Sequence, residues 1–238
     1  MFVALTLLLA HLLPALDPGS SGGTLRPRIT PDLARVNTHL PLVALTFDDG
    51  PSSQFTPQVL ALLEAAQVPA TFFVVGREAV RSPRLVQELQ ANGFEVGNHT
   101  WNHIMTPMTP EVAAREVHRT DVLLQTLLQK HPMFFRPPGG ELNTGVAAYA
   151  QRHSETVVTW SVDPRDYTLG ISAAQIVDVV LSQVQPGSII LMHDGGGDRS
   201  ATVEALGQLI PALRARGFTF VSLRSLCGLA HCRQVPHG

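Results

Sequence analysis

Short apolar runs alternate with amphipathic helical patterns along most of this chain, and this alternation restricts the folds that it can adopt. Seven runs rich in β-branched or aromatic residues, among them "LVALTF", "ATFFVVG" and "SIILMHD", are typical of buried strands. Segments such as "PQVLALLEAAQ" and "SAAQIVDVVLSQV" lie between them, and most begin near Pro, Ser or Thr. The repeated strand-then-helix order predicts an α/β fold, a parallel sheet with helices outside it. About seven units favour a closed or nearly closed (β/α) barrel, while a doubly wound open sheet stays an alternative.

Polar side chains follow five of the predicted strands at the points where the strands end. In chain order they are Asp48 and Asp49, His99 and His103, Arg136, Asp163 and Asp166, and His193 and Asp194. The carboxyl ends of parallel strands meet on one face of a barrel, which is where such folds carry their chemistry. The sequence therefore predicts an active site at the C-terminal strand ends.

The segment "NHTWNH", residues 98–103, has two histidines four positions apart. On a helical turn this spacing puts both imidazoles on one side, and with a carboxylate they form a metal site that leaves positions open for water and substrate. "FDDG" supplies two carboxylates. Neighbouring strand residues point to opposite sides, so we expect one aspartate to bind the metal and the other to act as a general base. The residues alone do not decide which is which.

Two further segments carry groups suited to acyl chemistry. In "FFRPPGG", Arg136 could pair with an aspartate and keep it ionised, and the N–H of Gly139 could donate to an oxyanion. At the end of "SIILMHD", His193 has a side chain suited to protonate a leaving amine, with Asp163 or Asp166 to orient it. Taken singly, each segment also fits an ordinary loop or strand end.

Composition and the two ends of the chain limit its setting. A net charge of -2 with only 17 Lys and Arg argues against nucleic acid as a partner. Residues 1–23 combine an apolar run with a Pro/Gly/Ser-rich linker, which predicts a signal-like or membrane-anchor segment before one catalytic domain over 24–238. An extracytoplasmic protein, secreted or membrane-anchored, is expected. Cys227 and Cys232 could close a small disulfide loop, and a zinc clip with His231 would be one ligand short.

Five ordered segments, "TFDDG", "HTWNH", "RPPGG", "DPRDY" and "LMHD", together resemble the polysaccharide deacetylases, carbohydrate esterase family 4 with its NodB-homology domain. The resemblance spans roughly residues 42–194 and the final strand. It implies a distorted (β/α) barrel and a hydrolase with a divalent metal, usually zinc. It also implies removal of N-acetyl groups from an amino-sugar polymer such as peptidoglycan, a chitin oligomer or an exopolysaccharide, with release of acetate.

The resemblance also implies a role for each matched residue. The implied roles are general base for Asp48, metal ligands for Asp49, His99 and His103, orientation of the base for Arg136, oxyanion N–H for Gly139, general acid for His193, tuning of that acid for Asp166, and an acetyl-methyl pocket for Leu191. Where the family usually has an aromatic residue after the two prolines, this chain has Gly139; where it has Asp-Trp, this chain has Asp166-Tyr167. Both departures bear on sugar specificity.

Two other functions stay open at this point. A glycoside hydrolase could use Asp48 and Asp163 as an acid/base pair, which would leave the histidines without a task. A non-catalytic cell-wall carbohydrate-binding protein could use the same barrel. In any of these functions Trp101, Tyr167 and Trp160 are candidate sugar-binding aromatics. A two-His, one-Asp site accepts Zn²⁺, Co²⁺, Fe²⁺ or Ni²⁺.

Overall fold

A computed structural model describes residues 32–229 of the chain. Residues 1–23, the predicted signal-like segment and linker, lie outside the described residues, and so does Cys232. The signal-like segment and the Cys227–Cys232 disulfide therefore stay predictions. Within 32–229, none of the helices has both the length and the apolar character needed to cross a bilayer.

The described part contains seven strands and eight α-helices in mostly alternating order. The strands are β1 (Leu42–Asp48), β2 (Ala70–Val74), β3 (Glu95–Asn98), β4 (Phe134–Phe135), β5 (Thr156–Val157), β6 (Ser188–His193) and β7 (Thr219–Phe220). The helices are α1 (Thr56–Ala66), α2 (Gly76–Arg81), α3 (Pro83–Ala91), α4 (Pro110–Leu128), α5 (Val146–Arg152), α6 (Ala173–Gln183), α7 (Ser200–Ala215) and α8 (Leu223–Leu229). Two single 3₁₀ turns, Pro138–Gly140 and Leu142–Thr144, follow β4.

All seven strands pair in parallel and form one curled sheet. The order is β5-β4-β3-β2-β1-β6, and β7 also pairs with the start of β1. Beyond β5 the chain returns to the opposite edge, where Val162 bridges Ile190 of β6. This bridge brings the two edges together, so the sheet forms a distorted, incompletely closed barrel. The predicted barrel is confirmed, and the doubly wound alternative is wrong.

The strand period of two separates the outer core from the barrel interior. On β1, Val43, Leu45 and Phe47 pack in the cluster shared with helices α1, α6 and α7. The alternate residues face inward: Ala44 packs in the inner cluster, and Thr46 and Asp48 are buried beyond it. The same alternation along β6 turns His193 inward beside Asp48, with which it is in register. Strand geometry therefore delivers both side chains to the mouth of the barrel.

Helices α2 and α8 were not predicted from the sequence. Helix α2 has only six residues and begins at Gly76 without a side-chain cap, so it has little helical signature. Gly76 is needed there because a Cβ would lie 2.5 Å from the ring of Trp101 and 2.6 Å from Thr120 Oγ1.

Candidate active site

A buried arginine anchors the first carboxylate at the mouth of the barrel. Arg136 is fully buried, and its Nη1 donates to Asp48 Oδ1 at 2.7 Å and to Thr46 Oγ1 at 2.8 Å. Its other nitrogens donate to the carbonyl oxygens of Val158 and Thr159. Burial lowers the pKa of Arg136, and the charge of Asp48 opposes that effect. The Asp48 carboxylate is thereby held in one orientation, with a charge-assisted bond on Oδ1.

Three potential metal ligands lie beside Asp48. The ligand atoms of Asp49, His99 and His103 all lie within 4.8 Å of one another. His99 Nε2 is 3.5 Å from Asp49 Oδ1 and 3.6 Å from Asp48 Oδ2, and His103 Nε2 is 3.1 Å from Asp49 Oδ1. His99 Nδ1 lies 2.7 Å from the carbonyl of Arg136, so it is the donor nitrogen and Nε2 carries the lone pair that faces the cluster.

The electrostatics of this cluster follow from burial and mutual contact. Burial raises the pKa of Asp49, but the histidines outweigh burial and the net shift is downward. For His99, burial lowers the pKa, yet the charges of Asp48 and Asp49 raise it overall. Burial and the neighbouring His99 lower the pKa of His103. The set thus keeps Asp49 ionised and gives the two imidazoles different proton affinities.

Two local predictions about this cluster are wrong. Residues 99–103 do not form a helical turn, because Thr100 and His103 have φ angles of 65° and 59°, outside the right-handed helical region. The rings still approach to 4.9 Å between centroids. Asp48 and Asp49 do not point to opposite sides either, since Asp49 leaves the strand with a φ of 71° and both carboxylates face His99.

His193 is held from behind by Asp166. The imidazole Nδ1 lies 2.7 Å from Asp166 Oδ1, and Asp166 Oδ2 accepts from the backbone N–H of His193 and from Thr202 Oγ1, both at 2.8 Å. Burial lowers the pKa of His193, but the hydrogen bond and charge of Asp166, with smaller effects of Asp48 and Asp49, raise it to about 9. The other ring nitrogen, Nε2, makes no hydrogen bond to the described residues and is available to a ligand in the cavity that His193 lines. Asp163 instead accepts from Arg165 N and Tyr167 Oη.

A cavity of about 560 Å³ connects these groups. The predicted site residues that line it are Asp48, Asp49, His99, His103, Gly139, Tyr167, Leu191 and His193, and Trp160 lines it as well. Arg136 and Asp166 contact this lining from behind. Trp101 is not among the lining residues; it packs against Gly76, and the guanidinium of Arg119 lies 3.6 Å from its ring centroid.

Comparisons of this chain with a family model and with known proteins point to the same family. A family model for polysaccharide deacetylases matches residues 35–158. A peptidoglycan-N-acetylglucosamine deacetylase of Bacillus cereus is 39% identical over 196 residues, which cover 80% of this chain and 90% of that protein. The chain belongs to the polysaccharide deacetylase family. The family predicted from the five segments is confirmed, and with it the prediction of a deacetylating hydrolase.

This polysaccharide deacetylase is also similar to a second named deacetylase and to a solved structure. A chitooligosaccharide deacetylase of Sinorhizobium fredii is 42% identical over 205 residues, with 79% of this chain and 93% of that protein covered. The crystal structure of the Bc1960 peptidoglycan N-acetylglucosamine deacetylase, in complex with an N-hydroxybenzamide, superposes with a TM-score of 0.78 at 36% identity. The superposition covers 82% of this chain and 91% of the Bc1960 chain.

Several residues of the deacetylase site were missed by sequence reasoning. Met105, Val75, Arg77, Glu78, Gly196 and Arg199 also line the cavity. The run "GGG" at 195–197 was the available signal, because a Cβ on Gly196 would lie 2.5 Å from Asp49 Oδ2. Asp194, which fits a simple turn in sequence, is fully buried and accepts a short hydrogen bond from Thr56 Oγ1. Burial, with the charges of Asp49 and Asp48, raises the pKa of Asp194 to about 7.

Proposed function

We propose that this deacetylase hydrolyses the acetamide of N-acetylglucosamine units in a glycan, releasing acetate and leaving a free amine on the sugar. The observation that carries the proposal is one cavity that joins three sets of groups. These are the three potential metal ligands, a carboxylate held by a buried arginine, and an imidazole held by a buried carboxylate. Acyl transfer from an amide needs an activated water, a stabilised oxyanion and a proton for the amine, and each set fits one of these tasks.

We assign the metal ligands as Asp49, His99 and His103. A cation fits them because Asp49 Oδ1 is buried and makes no hydrogen bond, although two imidazole Nε2 atoms lie within 3.5 Å of it. We propose Zn²⁺ because a carboxylate oxygen and two imidazole nitrogens are among its usual ligands and because the family resemblance implies it; the same set would also accept Co²⁺, Fe²⁺ or Ni²⁺. Bound there, a divalent cation would supply Lewis-acid polarisation of the acetamide carbonyl and a lowered pKa for a water molecule.

Asp48 is the proposed general base. Its Oδ1 is occupied by Arg136, which leaves Oδ2 facing the ligand cluster at 3.6 Å from His99 Nε2. A carboxylate oxygen fixed in that position can accept the proton of the attacking water. Arg136 is the positioning residue, because it holds the carboxylate without lining the cavity itself.

His193 is the proposed general acid. At neutral pH a pKa of about 9 keeps the imidazole protonated, so it can deliver a proton from Nε2 to the leaving amine. Asp166 orients the ring. We propose the backbone N–H of Gly139, which lines the cavity with a φ of 62°, as the donor to the developing oxyanion.

Leu191 and Tyr167 are the proposed substrate contacts. Leu191 lines the cavity between the strand core and His193, where an acetyl methyl group would meet an apolar wall. Tyr167 is half exposed at the cavity and lies edge-on to His193, with 5.3 Å between ring centroids. Trp101 is left out of this set because it does not line the cavity.

The relatives support an amino-sugar polymer as substrate and a place outside the cytoplasm. The Bacillus cereus relative is named for peptidoglycan and the Sinorhizobium fredii relative for chitooligosaccharides. We propose that residues 24–238 form the catalytic domain and that the protein is secreted or anchored, so that it meets such glycans.

An acetate-release screen tests this proposal. Zinc-reconstituted protein is incubated with peptidoglycan, chitin oligomers and partly acetylated β-1,6-linked glucosamine, and acetate, new reducing ends and bound metal are measured together. We expect acetate and free amine with intact chains. New reducing ends without acetate would instead support a glycoside hydrolase. Saturable glycan binding with neither product, and no stoichiometric metal, would support a non-catalytic binding protein.

A further inference from the structure

Arg199 lies in the wall of the cavity directly before helix α7. The residue is only 6% exposed, yet it lines the same cavity as Asp49 and His193. Its Nε donates to the carbonyl of Gly195 at 2.7 Å, and Nη1 donates to the carbonyl of Asp198 at 3.2 Å. Within residues 32–229 it makes no ion pair and no further hydrogen bond, so Nη2 keeps both of its N–H groups unused.

The other charged side chains around the cavity have partners of opposite charge. The pairs are Asp48 with Arg136 at 2.7 Å, His193 with Asp166 at 2.7 Å, and Glu78 with both Arg77 at 3.1 Å and Arg81 at 2.9 Å. Asp49 belongs to the ligand cluster. Asp198 follows the glycine run, but its carboxylate accepts from the N–H and hydroxyl of Ser200. Among the described residues, Arg199 is therefore the buried cation of this cavity wall with no carboxylate at ion-pair distance. Hydrogen bonds from Ser200 lower the pKa of Asp198, and the charge of Arg199 contributes only a little to that shift.

The two N–H groups of Nη2 have no acceptor among the described residues, so they are available to a ligand in the cavity. The planar fork of a guanidinium suits a carboxylate, which can accept two N–H groups at once. Gly196 and Gly197 give the adjoining wall no side chain, and Gly197 lies beside the guanidinium, since a Cβ there would be in ordinary contact with Nη2 at 3.6 Å. These two glycines therefore place no side chain over Nη2, and a ligand group can reach it from that side.

We propose that Arg199 binds a carboxylate of the substrate, carried by the sugar next to the one whose acetamide is cleaved. The inference rests on the proposed function, because the carboxylate and the acetamide would occupy one cavity. It names the substrate class more narrowly: an acidic N-acetylated glycan is preferred over a neutral one. Arg199 acts as a specificity-determining residue.

The test compares a glycan that has a free carboxylate with the same glycan in which that carboxylate is esterified and therefore uncharged. One is a peptide-free oligosaccharide of alternating N-acetylglucosamine and N-acetylmuramic acid, and the other is its methyl ester. We expect the wild-type protein to release acetate from the acid with a kcat/KM about tenfold or more above that of the ester, as a charge-assisted hydrogen bond implies. Arg199→Gln should bring this ratio to within about twofold of one, and Arg199→Lys should give an intermediate ratio.

Arg77→Gln is the matched control, since it removes a cation of the same cavity that already has a partner in Glu78. It should leave the acid-to-ester ratio unchanged. A wild-type ratio near one overturns the inference. So does an Arg199→Gln variant that loses activity equally on both substrates, because that result indicates a structural role of the loop.

Calorimetric binding of the same two glycans separates this inference from the proposed function. If neither glycan releases acetate but the acid still binds more tightly through Arg199, the proposed function fails and the carboxylate site stands. If acetate is released and neither the rate nor the binding depends on the carboxylate, the carboxylate site fails and the proposed function stands.

Discussion

Replacement of Asp166 by Asn should change the proton affinity of His193 more than any other single substitution behind the cavity wall. In the native protein the imidazole pKa rises from 6.5 to about 9, although burial works in the opposite direction. The rise of about 2.5 pH units corresponds to about 3 kcal/mol in favour of the protonated ring. Asn keeps the shape but removes the negative charge, so burial, the largest effect on this pKa, is opposed only by the smaller effects of Asp48 and Asp49. We expect the His193 pKa of Asp166→Asn to fall to 6.5 or below.

Two assays follow this change. In metal-free protein, NMR titration of the His193 ring should show the pKa near 9 and its loss in the variant. In zinc-loaded protein, the alkaline limb of the acetate-release rate should move down by about two pH units, because the general acid loses its proton earlier. An unmoved alkaline limb, or a His193 pKa that stays within half a unit of the native value, would refute the reasoning.

The same pKa gives a dependence of stability on pH, with a definite sign. Because the folded-state pKa of His193 is raised, the stabilisation it contributes is complete below pH 6.5 and is lost as the pH rises through about 9. The free energy of unfolding of Asp166→Asn should therefore fall furthest below the native value at mildly acidic pH.

Three further substitutions test other parts of the structure. His99→Ala should lose stoichiometric zinc, as measured by metal analysis after dialysis, because it removes the ligand whose tautomer is set by a 2.7 Å contact with the Arg136 carbonyl. Thr46→Val should lower the free energy of unfolding by about 1–3 kcal/mol in urea titrations, since it leaves a buried guanidinium N–H without its 2.8 Å acceptor. Glu155→Gln should remove a loss of stability that the native protein shows at rising pH: Glu155 is buried, and burial together with the charge and hydrogen bond of the neighbouring Asp121 raises its pKa well above the ordinary value. The native free energy of unfolding should fall as the pH rises from the ordinary glutamate pKa through the raised one, by up to about 1.4 kcal/mol per pH unit.

Matched controls and contrary outcomes are available for these three. His153→Ala removes an exposed histidine and should retain zinc; equal zinc loss in both variants would contradict the ligand assignment. Thr126→Val removes an exposed hydroxyl that donates to the Val122 carbonyl within its own helix, and its effect should be smaller than that of Thr46→Val. Parallel stability curves for Glu155→Gln and the native protein across pH 5 to 9 would contradict the buried-carboxyl explanation.

The convergence of the site could be predicted because it follows from topology. In a parallel sheet the strand ends meet on one face, so residues that end different strands, such as Asp48, His99, Arg136 and His193, come together without any detailed knowledge of the loops. Strand alternation then explains why Asp48 and His193 both face inward from neighbouring strands.

What could not be predicted depends on backbone conformations and contacts that no local pattern specifies. The positive φ angles of Asp49, Thr100 and His103 set how the ligand cluster is arranged, and none of these residues is a glycine that would have signalled a left-handed conformation. Trp101 is a candidate sugar-binding aromatic in the sequence, but in the structure it does not line the cavity. Its ring packs against Gly76 and Arg119, which belong to other elements. In each case a tertiary contact decides.

The division of labour between the two adjacent aspartates is the central claim, and acetate release measured beside metal content tests it most directly. With Asp48→Asn and Asp49→Asn compared at the same zinc concentration, we predict that Asp48→Asn keeps one zinc per chain and loses at least about 100-fold in rate. Asp49→Asn should lose the zinc itself. Near-normal acetate release by Asp48→Asn, or loss of zinc from that variant alone, would contradict the claim.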